Sequence, residues 1–219
     1  MRVLITGANR GIGAALANEA IKSGHQVIGT CRNRQGLNPA ISWLELDLTA
    51  PESISAFSDK IARQPLDAVV CNAGVYPDKG LNGLESYSAS IWDSALSVNV
   101  TGVALTIQAA LPSLLASKGK IAVLSSIMAS SALAPGGSYA YRASKAAVTN
   151  LARNLATDLR SKGVAVGSYH PGWVKTDMGG ENADISVDEA TKGLWQRIEH
   201  LSIATSGVFE SYNGTPMQF

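Results

Sequence analysis

Cysteine is nearly absent from this chain. Only Cys31 and Cys71 occur, far apart and in no C-x-x-C spacing. That argues against a disulfide framework or a cysteine zinc site, and it suits a reducing cytoplasm. Histidine is scarce too. His25, His170 and His200 lack ligand spacing, so each reads as a structural or surface residue and no metal is expected. Charged residues make up only 16% of the chain and nearly cancel, at net +1. Neither a nucleic acid nor an anionic membrane is an expected partner. No apolar run has the length of a membrane span. The one inside the opening MRVLITGANRG is too short for a secretory signal and lacks a cleavage site. Pro/Ser-rich linkers, repeats and low-complexity tracts are missing as well. What is plentiful is apolar surface. A hydrophobic share of 46% over 219 residues predicts a well-buried fold, with residues 1–219 as a single domain.

Short β-branched runs alternate with helical patterns. Strands are predicted at Val3–Thr6, Gln26–Thr30, Ser42–Leu46, Asp67–Cys71, Lys120–Ser125, Val164–Tyr169 and Gly207–Ser211. Helices are predicted from the glycine turn to about Ser23, from Thr49 to about Arg63, over Ser88–Ser117, over Ser138–Lys162, and after Ser186. Thr49 with Glu52, and Ser186 with Glu189, have capping-box spacing. Gly102 and Pro112 are positions where the Ser88–Ser117 helix is expected to bend or divide. Strands apolar on both faces, in strict alternation with helices, predict an α/β fold. Its sheet is doubly wound and parallel, of about seven strands, with helices on both faces.

TGANRGIG, Thr6 to Gly13, sits where the first strand hands over to the first helix. Gly7 permits a tight turn, and Gly11 and Gly13 permit close backbone approach to a pyrophosphate. The helix N-terminus adds free N–H groups and the positive end of its dipole. An NTPase phosphate loop is disfavoured, because no Gly-Lys-Ser/Thr follows. In a dinucleotide site, an acid at the end of the second strand would bind the adenosine ribose. Here that end reads VIGTCRNR and carries Arg32 and Arg34 but no acid, while Arg10 lies inside the loop. Guanidinium groups suit a phosphate, so NADP(H) is preferred over NAD(H).

GSYAYRASKAA, from Gly137, places two tyrosines near one lysine. Residues four apart on a helix lie about 40° from each other, whereas residues six apart lie about 240° round. Tyr141 and Lys145 therefore share a face, and Tyr139 does not join them. An ammonium beside a phenol favours the phenolate. Such a tyrosine can give a proton to a carbonyl oxygen as hydride arrives, and take it back in reverse.

With these motifs together, the chain resembles the short-chain dehydrogenase/reductase family over essentially its whole length. The carrying motifs are TGANRGIG, DL at Asp47–Leu48, CNAG at Cys71–Gly74, VNVTG at Val98–Gly102, LSS at Leu124–Ser126, YRASK at Tyr141–Lys145 and HPGWVKTDM from His170. It is most similar to compact carbonyl-reductase-like members of the sniffer and C-factor kind. The resemblance implies a Rossmann-type sheet and hydride transfer between NADP(H) and a small-molecule aldehyde, ketone or alcohol. It implies Tyr141 as general acid/base, Lys145 as its partner and holder of the nicotinamide ribose, Ser126 on the substrate oxygen, and Asn99 as anchor of a water reaching Lys145. It further implies cofactor contacts along Gly7, Asn9, Arg10, Gly11, Ile12, Gly13 and Arg32, with Asp47 and Leu48 flanking the adenine. Asn72, Ala73 and Gly74 line the cofactor, and Pro171, Gly172, Val174 and Thr176 shape the nicotinamide end. The family's helices leave both a homodimer and a monomer open. A signalling protein with little turnover and an NAD-linked alcohol oxidation are the alternative functions. The intact Asn99, Ser126, Tyr141 and Lys145 set weighs against the first.

The chain departs from the family pattern at two points. CNAG stands where NNAG is commoner, and Cys71 reads there as a small buried residue. The stretch from Ser126 to Tyr141 is longer than usual, leaving Ser125, Ser130 and Ser131 as rivals to Ser126. Pro135-Gly136-Gly137 is expected to absorb the extra length. After Met178 only GGENADIS precedes the next helix cap, predicting an open site tolerant in substrate shape. Trp173, Met128, Leu133 and Tyr139 are candidate apolar walls. The tail YNGTPMQF is assigned either to the site or to the sheet edge.

Overall fold

A computed structural model describes residues 1–33, 36–62 and 64–219. Arg34, a predicted phosphate ligand, and Arg63, a predicted helix end, lie outside the described residues. The strands are β1 (Arg2–Ile5), β2 (Gln26–Cys31), β3 (Ser42–Glu45), β4 (Ala68–Cys71), β5 (Lys120–Leu124), β6 (Ala165–His170) and β7 (Phe209–Ser211). The helices are α1 (Gly11–Lys22), α2 (Pro51–Ile61), α3 (Ala89–Leu96), α4 (Val103–Ser117), α5 (Tyr139–Arg160) and α6 (Val187–His200). All seven strands join one sheet in the order β3-β2-β1-β4-β5-β6-β7, and every pairing is parallel. The order reverses between β1 and β4. A doubly wound sheet opens a crevice at such a switch point, beyond the carboxyl ends of its strands.

The period of two along each strand divides the core. Leu4, Ile28, Val69, Ile121 and Val123 face α2, α4 and α5, where Phe57, Ile107, Leu114 and Val148 meet them. Val3, Ile5, Val27, Val70 and Ala122 face α1 and α6, against Leu16, Leu194 and Ile198. Complete burial of each Leu or Ile contributes ~2 kcal/mol.

Some local expectations hold and others change. Thr49 does not cap α2, because its N–H and hydroxyl both donate to Asp47 Oδ1, at 2.9 and 2.7 Å. The cap position falls to Ala50, and Pro51 opens the helix, where its missing N–H costs nothing. Ser186 does cap α6, accepting from the Glu189 N–H at 3.1 Å. The 88–117 region divides at a π-helical segment, Ser97–Gly102, while α4 runs on through Pro112. Gly102 allows close approach there, since a Cβ would stand 2.8 Å from that of Leu48. By length and composition, Ala89–Ser117 could cross a membrane. Here α3 packs on α5, and α4 packs on α2, β4 and β5. The C-terminal tail folds back along β7, with the Met217 N–H donating to the Phe209 carbonyl at 2.8 Å. It therefore covers the sheet edge and ends with the Phe219 ring 4.0 Å from the Arg153 guanidinium.

Candidate functional site

A cavity of about 910 Å³ runs along the carboxyl ends of the strands, from Arg32 and Asp47 past the glycine loop to Tyr141 and Lys145. The loop is a cradle only glycine can form. Gly7 has φ 64° and Gly11 has φ 55°. A Cβ on Gly13 would stand 2.2 Å from the Gly7 carbonyl oxygen. Beyond it α1 begins with no side-chain cap and no acidic residue in its first turn, which leaves a positive helix end facing the cavity. Asn9, Arg10, Ile12, Leu48, Ala73, Gly74, Pro171 and Thr176 all border the same space. A dinucleotide fits this cradle in shape and in polarity.

Two asparagines brace the site. Asn72 borders the cavity, but its Nδ2 donates to the Thr6 and Gly7 carbonyls at 2.9 and 3.3 Å, tying the β4 loop to the glycine loop. Asn99 lies in the π-helical segment and is fully buried. Its Oδ1 accepts from the Val75 N–H at 2.9 Å. Its Nδ2 donates to the Val75 carbonyl at 2.9 Å and to Ser144 Oγ at 3.0 Å. Asn99 is thus bonded to protein and does not border the cavity, although its Oδ1 and Lys145 Nζ both flank Gly74.

Tyr141 and Lys145 are both buried on α5, with the Lys145 ammonium 5.7 Å from the Tyr141 ring centroid. Ser126 lies close enough to the Tyr141 phenol to favour its ionised form, and Ser126 Oγ accepts from the Met128 N–H at 3.1 Å. Among the rival serines, Ser125 pairs with Thr149 at 2.5 Å and Ser131 donates to the Phe219 carbonyl at 3.0 Å, while Ser130 Oγ is buried without a partner. Ser126 is the serine that influences the phenol, whereas Ser125 borders the cavity and Ser126 does not. The loop that follows absorbs its length as expected, through left-handed Gly136 and Gly137 at φ 91° and 69°.

The electrostatics depart from expectation. Burial pushes the Tyr141 phenol above its ordinary value, and Ser126 offsets only part of this. Lys145 Nζ, 5.7 Å from the ring centroid, donates to the Leu124 carbonyl at 2.8 Å. Burial in turn pulls Lys145 down to about 8. Cys71 beside it is pushed up to about 12 by burial, so the thiol stays protonated.

At the nicotinamide end, Gly172 and Val174 do not border the cavity. Val174 is buried and bridges to Ile185, and Gly172 allows close packing of Ile185 and Tyr212. The four predicted walls are also absent from it. Trp173 is turned outward by its indole N–H bond to the Gly179 carbonyl at 2.9 Å. Tyr139 packs on Tyr87 at 5.4 Å, and Leu133 is about half exposed. Val75, Tyr76 and Met178 line that region instead. Arg10 crosses the cleft to Asp177 at 2.7 Å, with both side chains exposed, and the Thr49 hydrogen bonds, helped by the nearby Arg32, hold the Asp47 carboxyl low.

Sequence reasoning missed Tyr76 and Asp78. Tyr76 stacks on Tyr141 with ring centroids 4.1 Å apart. Asp78 is fully buried and accepts from the N–H groups of Ala140 and Tyr141. Both lie in an irregular loop, where no periodicity signals a partner some sixty residues away.

His170, at the end of β6, has a buried Nδ1 without a partner, and burial pulls its pKa to about 4. Between that value and the ordinary ~6.5 the unfolded chain binds more protons. Stability is therefore expected to fall as pH drops through this window and to level off below it. His170→Leu should flatten that part of a melting temperature against pH curve, and an unchanged slope would rule His170 out as the cause.

Residues 1–185 match the family model for short chain dehydrogenase. A 1-hydroxy-2-glutathionyl-2-methyl-3-butene dehydrogenase of Rhodococcus is 32% identical, with 99% of each chain covered. The C-signal protein of Myxococcus xanthus is 36% identical over 73% of this chain and 96% of its own length. Among solved structures, the carbonyl reductase Sniffer of D. melanogaster superposes with TM-score 0.92 at 30% identity, covering 100% of this chain and 99% of that one. The NADPH-bound carbonyl reductase from chicken fatty liver does so with TM-score 0.88 at 29% identity, covering 100% and 98%. The match over residues 1–185, set on a seven-stranded parallel sheet with its site at the switch point, shows that this chain belongs to the short-chain dehydrogenase family of oxidoreductases.

Proposed function

We propose that this chain is an NADPH-dependent reductase of aldehydes and ketones, working from residues 1–219 as one catalytic domain in the cytoplasm. The observation that carries this is the Tyr141 phenol, with Lys145, at one end of a cavity whose other end is the glycine cradle. When bound, the nicotinamide dinucleotide supplies the hydride. Ser126 and Tyr141 together orient the carbonyl oxygen and stabilise the charge that grows on it. Tyr141 holds the proton that this oxygen takes up, and burial keeps the phenol protonated at neutral pH. Lys145 provides a positive charge over the Tyr141 ring and a donor for ribose hydroxyls. Asn99 and Asn72 hold the surrounding loops in register. The test is NADPH oxidation across a panel of aldehydes and ketones, with the alcohol product identified. A panel without turnover would favour a binding role.

The preference for NADPH rests on Arg10 and Arg32, exposed at the adenosine end of the cavity. The solved relative from chicken liver is described with NADPH bound. The ion pair of Arg10 with Asp177 does not oppose this, since such an exposed pair contributes at most about 1 kcal/mol and a phosphate offers the guanidinium a doubly charged partner. Arg10→Ala with Arg32→Ala is expected to raise KM for NADPH about tenfold or more, with little change for NADH. An unchanged NADPH to NADH ratio would refute the phosphate assignment.

A further inference from the structure

The helix that carries Tyr141 begins without help from its own sequence. Ser138, at the cap position of α5, is left-handed at φ 48° and makes no side-chain cap bond. The first N–H groups of a helix lack intrahelical acceptors and need partners when buried. Asp78, on the loop after β4, supplies them. Its Oδ2 accepts from the Ala140 N–H at 2.9 Å, and both its carboxyl oxygens lie 3.2 Å from the Tyr141 nitrogen. The Tyr139 N–H donates to the Tyr87 hydroxyl at 3.2 Å, and that hydroxyl also faces Asp78. A negative group here also meets the positive end of the helix dipole. The same loop grips the phenol from above. The Tyr76 ring stacks on Tyr141 at an interplanar angle of 20°, and its hydroxyl hydrogen-bonds Ser138 Oγ at 2.5 Å.

We propose that Asp78 is a positioning residue: by holding the backbone of Tyr141 from across the cleft, it sets where the phenol meets Ser126 and the substrate oxygen. This rests on Tyr141 as the proton donor of the proposed reduction. It also joins the cofactor side of the site to the acid. The Cys71–Gly74 motif borders the cofactor cradle, and four residues later the same chain segment fixes the helix bearing Tyr141.

The titratable and hydroxyl groups facing Tyr141 are Tyr76 and Asp78 from this loop, Ser126 after β5, and Lys145 on α5 itself. Cys71 stands behind Lys145, and Tyr87 behind Asp78. The charge of Asp78 opposes formation of the phenolate. Its removal should therefore let alcohol oxidation, which needs the phenolate, begin at lower pH.

The test compares full-length wild type with Asp78→Ala, Asp78→Asn and Tyr141→Phe. Asp78→Ala is expected to lower kcat about tenfold with the NADPH dissociation constant unchanged. Asp78→Asn keeps an acceptor oxygen but loses the charge. It should recover most of kcat and move the rise of alcohol oxidation to lower pH. Should Asp78→Ala fail to fold, the pH profile of Asp78→Asn decides alone. A profile and kcat in Asp78→Asn identical to wild type would overturn the proposal. So would losses of kcat and NADPH affinity in equal proportion. An active Tyr141→Phe would instead overturn the assignment of Tyr141 on which it rests.

Discussion

Replacing Tyr141 with Phe is expected to lower kcat for carbonyl reduction by about 10²–10⁴-fold, the range a positioned general acid supplies. The substitution removes one oxygen and little else. The ring stays on Tyr76, with which it stacks at 4.1 Å, and stays buried at the start of α5. The Lys145 ammonium keeps its bond to the Leu124 carbonyl, and the glycine cradle at the other end of the cavity is untouched. NADPH affinity and melting temperature should therefore match wild type, as fluorescence titration and thermal unfolding would show. Because burial raises the phenol above its ordinary range, the wild-type reduction rate should not fall on the alkaline side near neutral pH through loss of this proton. A Phe variant that turns over like wild type would remove Tyr141 from the chemistry.

Gly13→Ala should be nearly as severe, and by an opposite route. Its Cβ would stand 2.2 Å from the Gly7 carbonyl oxygen and 2.5 Å from Asn72 Nδ2. Neither neighbour can yield cheaply. The carbonyl belongs to a backbone turn that carries Gly7 at φ 64°, and the amide is the tie between the glycine loop and β4. Forcing a methyl group into so tight a contact costs ~1–3 kcal/mol. The displacement falls on the loop proposed to hold the pyrophosphate. NADPH affinity should fall at least about a hundredfold, equivalent to ~2.7 kcal/mol, with a lowered melting temperature. Any alcohol formed at saturating cofactor should still depend on Tyr141. Wild-type affinity in this variant would mean that the cofactor does not lie on the cradle.

Much of the fold was legible because its signals are local. Runs such as Val3–Ile5 and Val69–Cys71 bury both faces of a strand, and a parallel sheet demands that pattern. Tyr141 and Lys145 were legible because helical spacing is rigid. The cap of α2 was misread because two local rules competed. Thr49 has the spacing of a capping box, but Asp47 captures its hydroxyl first and Pro51 favours the first helical position. Roles resting on partners distant in sequence were not legible. Asp78 meets Tyr141 only after folding, and Tyr76 stacks on the phenol while Tyr139 and Trp173, the candidate walls, pack elsewhere. The π-helical segment around Asn99 has no pattern of its own, yet it turns that amide towards Val75 and Ser144.

The central claim is that this site moves a hydride from NADPH to a carbonyl carbon under Tyr141. Its most direct test is single-turnover reduction with NADPH deuterated at the transferring position of nicotinamide C4, followed by mass analysis of the alcohol. One deuterium on the carbinol carbon in wild type, with labelled alcohol forming at least about a hundredfold more slowly from Tyr141→Phe, is the predicted result. NADPH that binds but leaves its label on the cofactor, across the whole aldehyde and ketone panel, would contradict it.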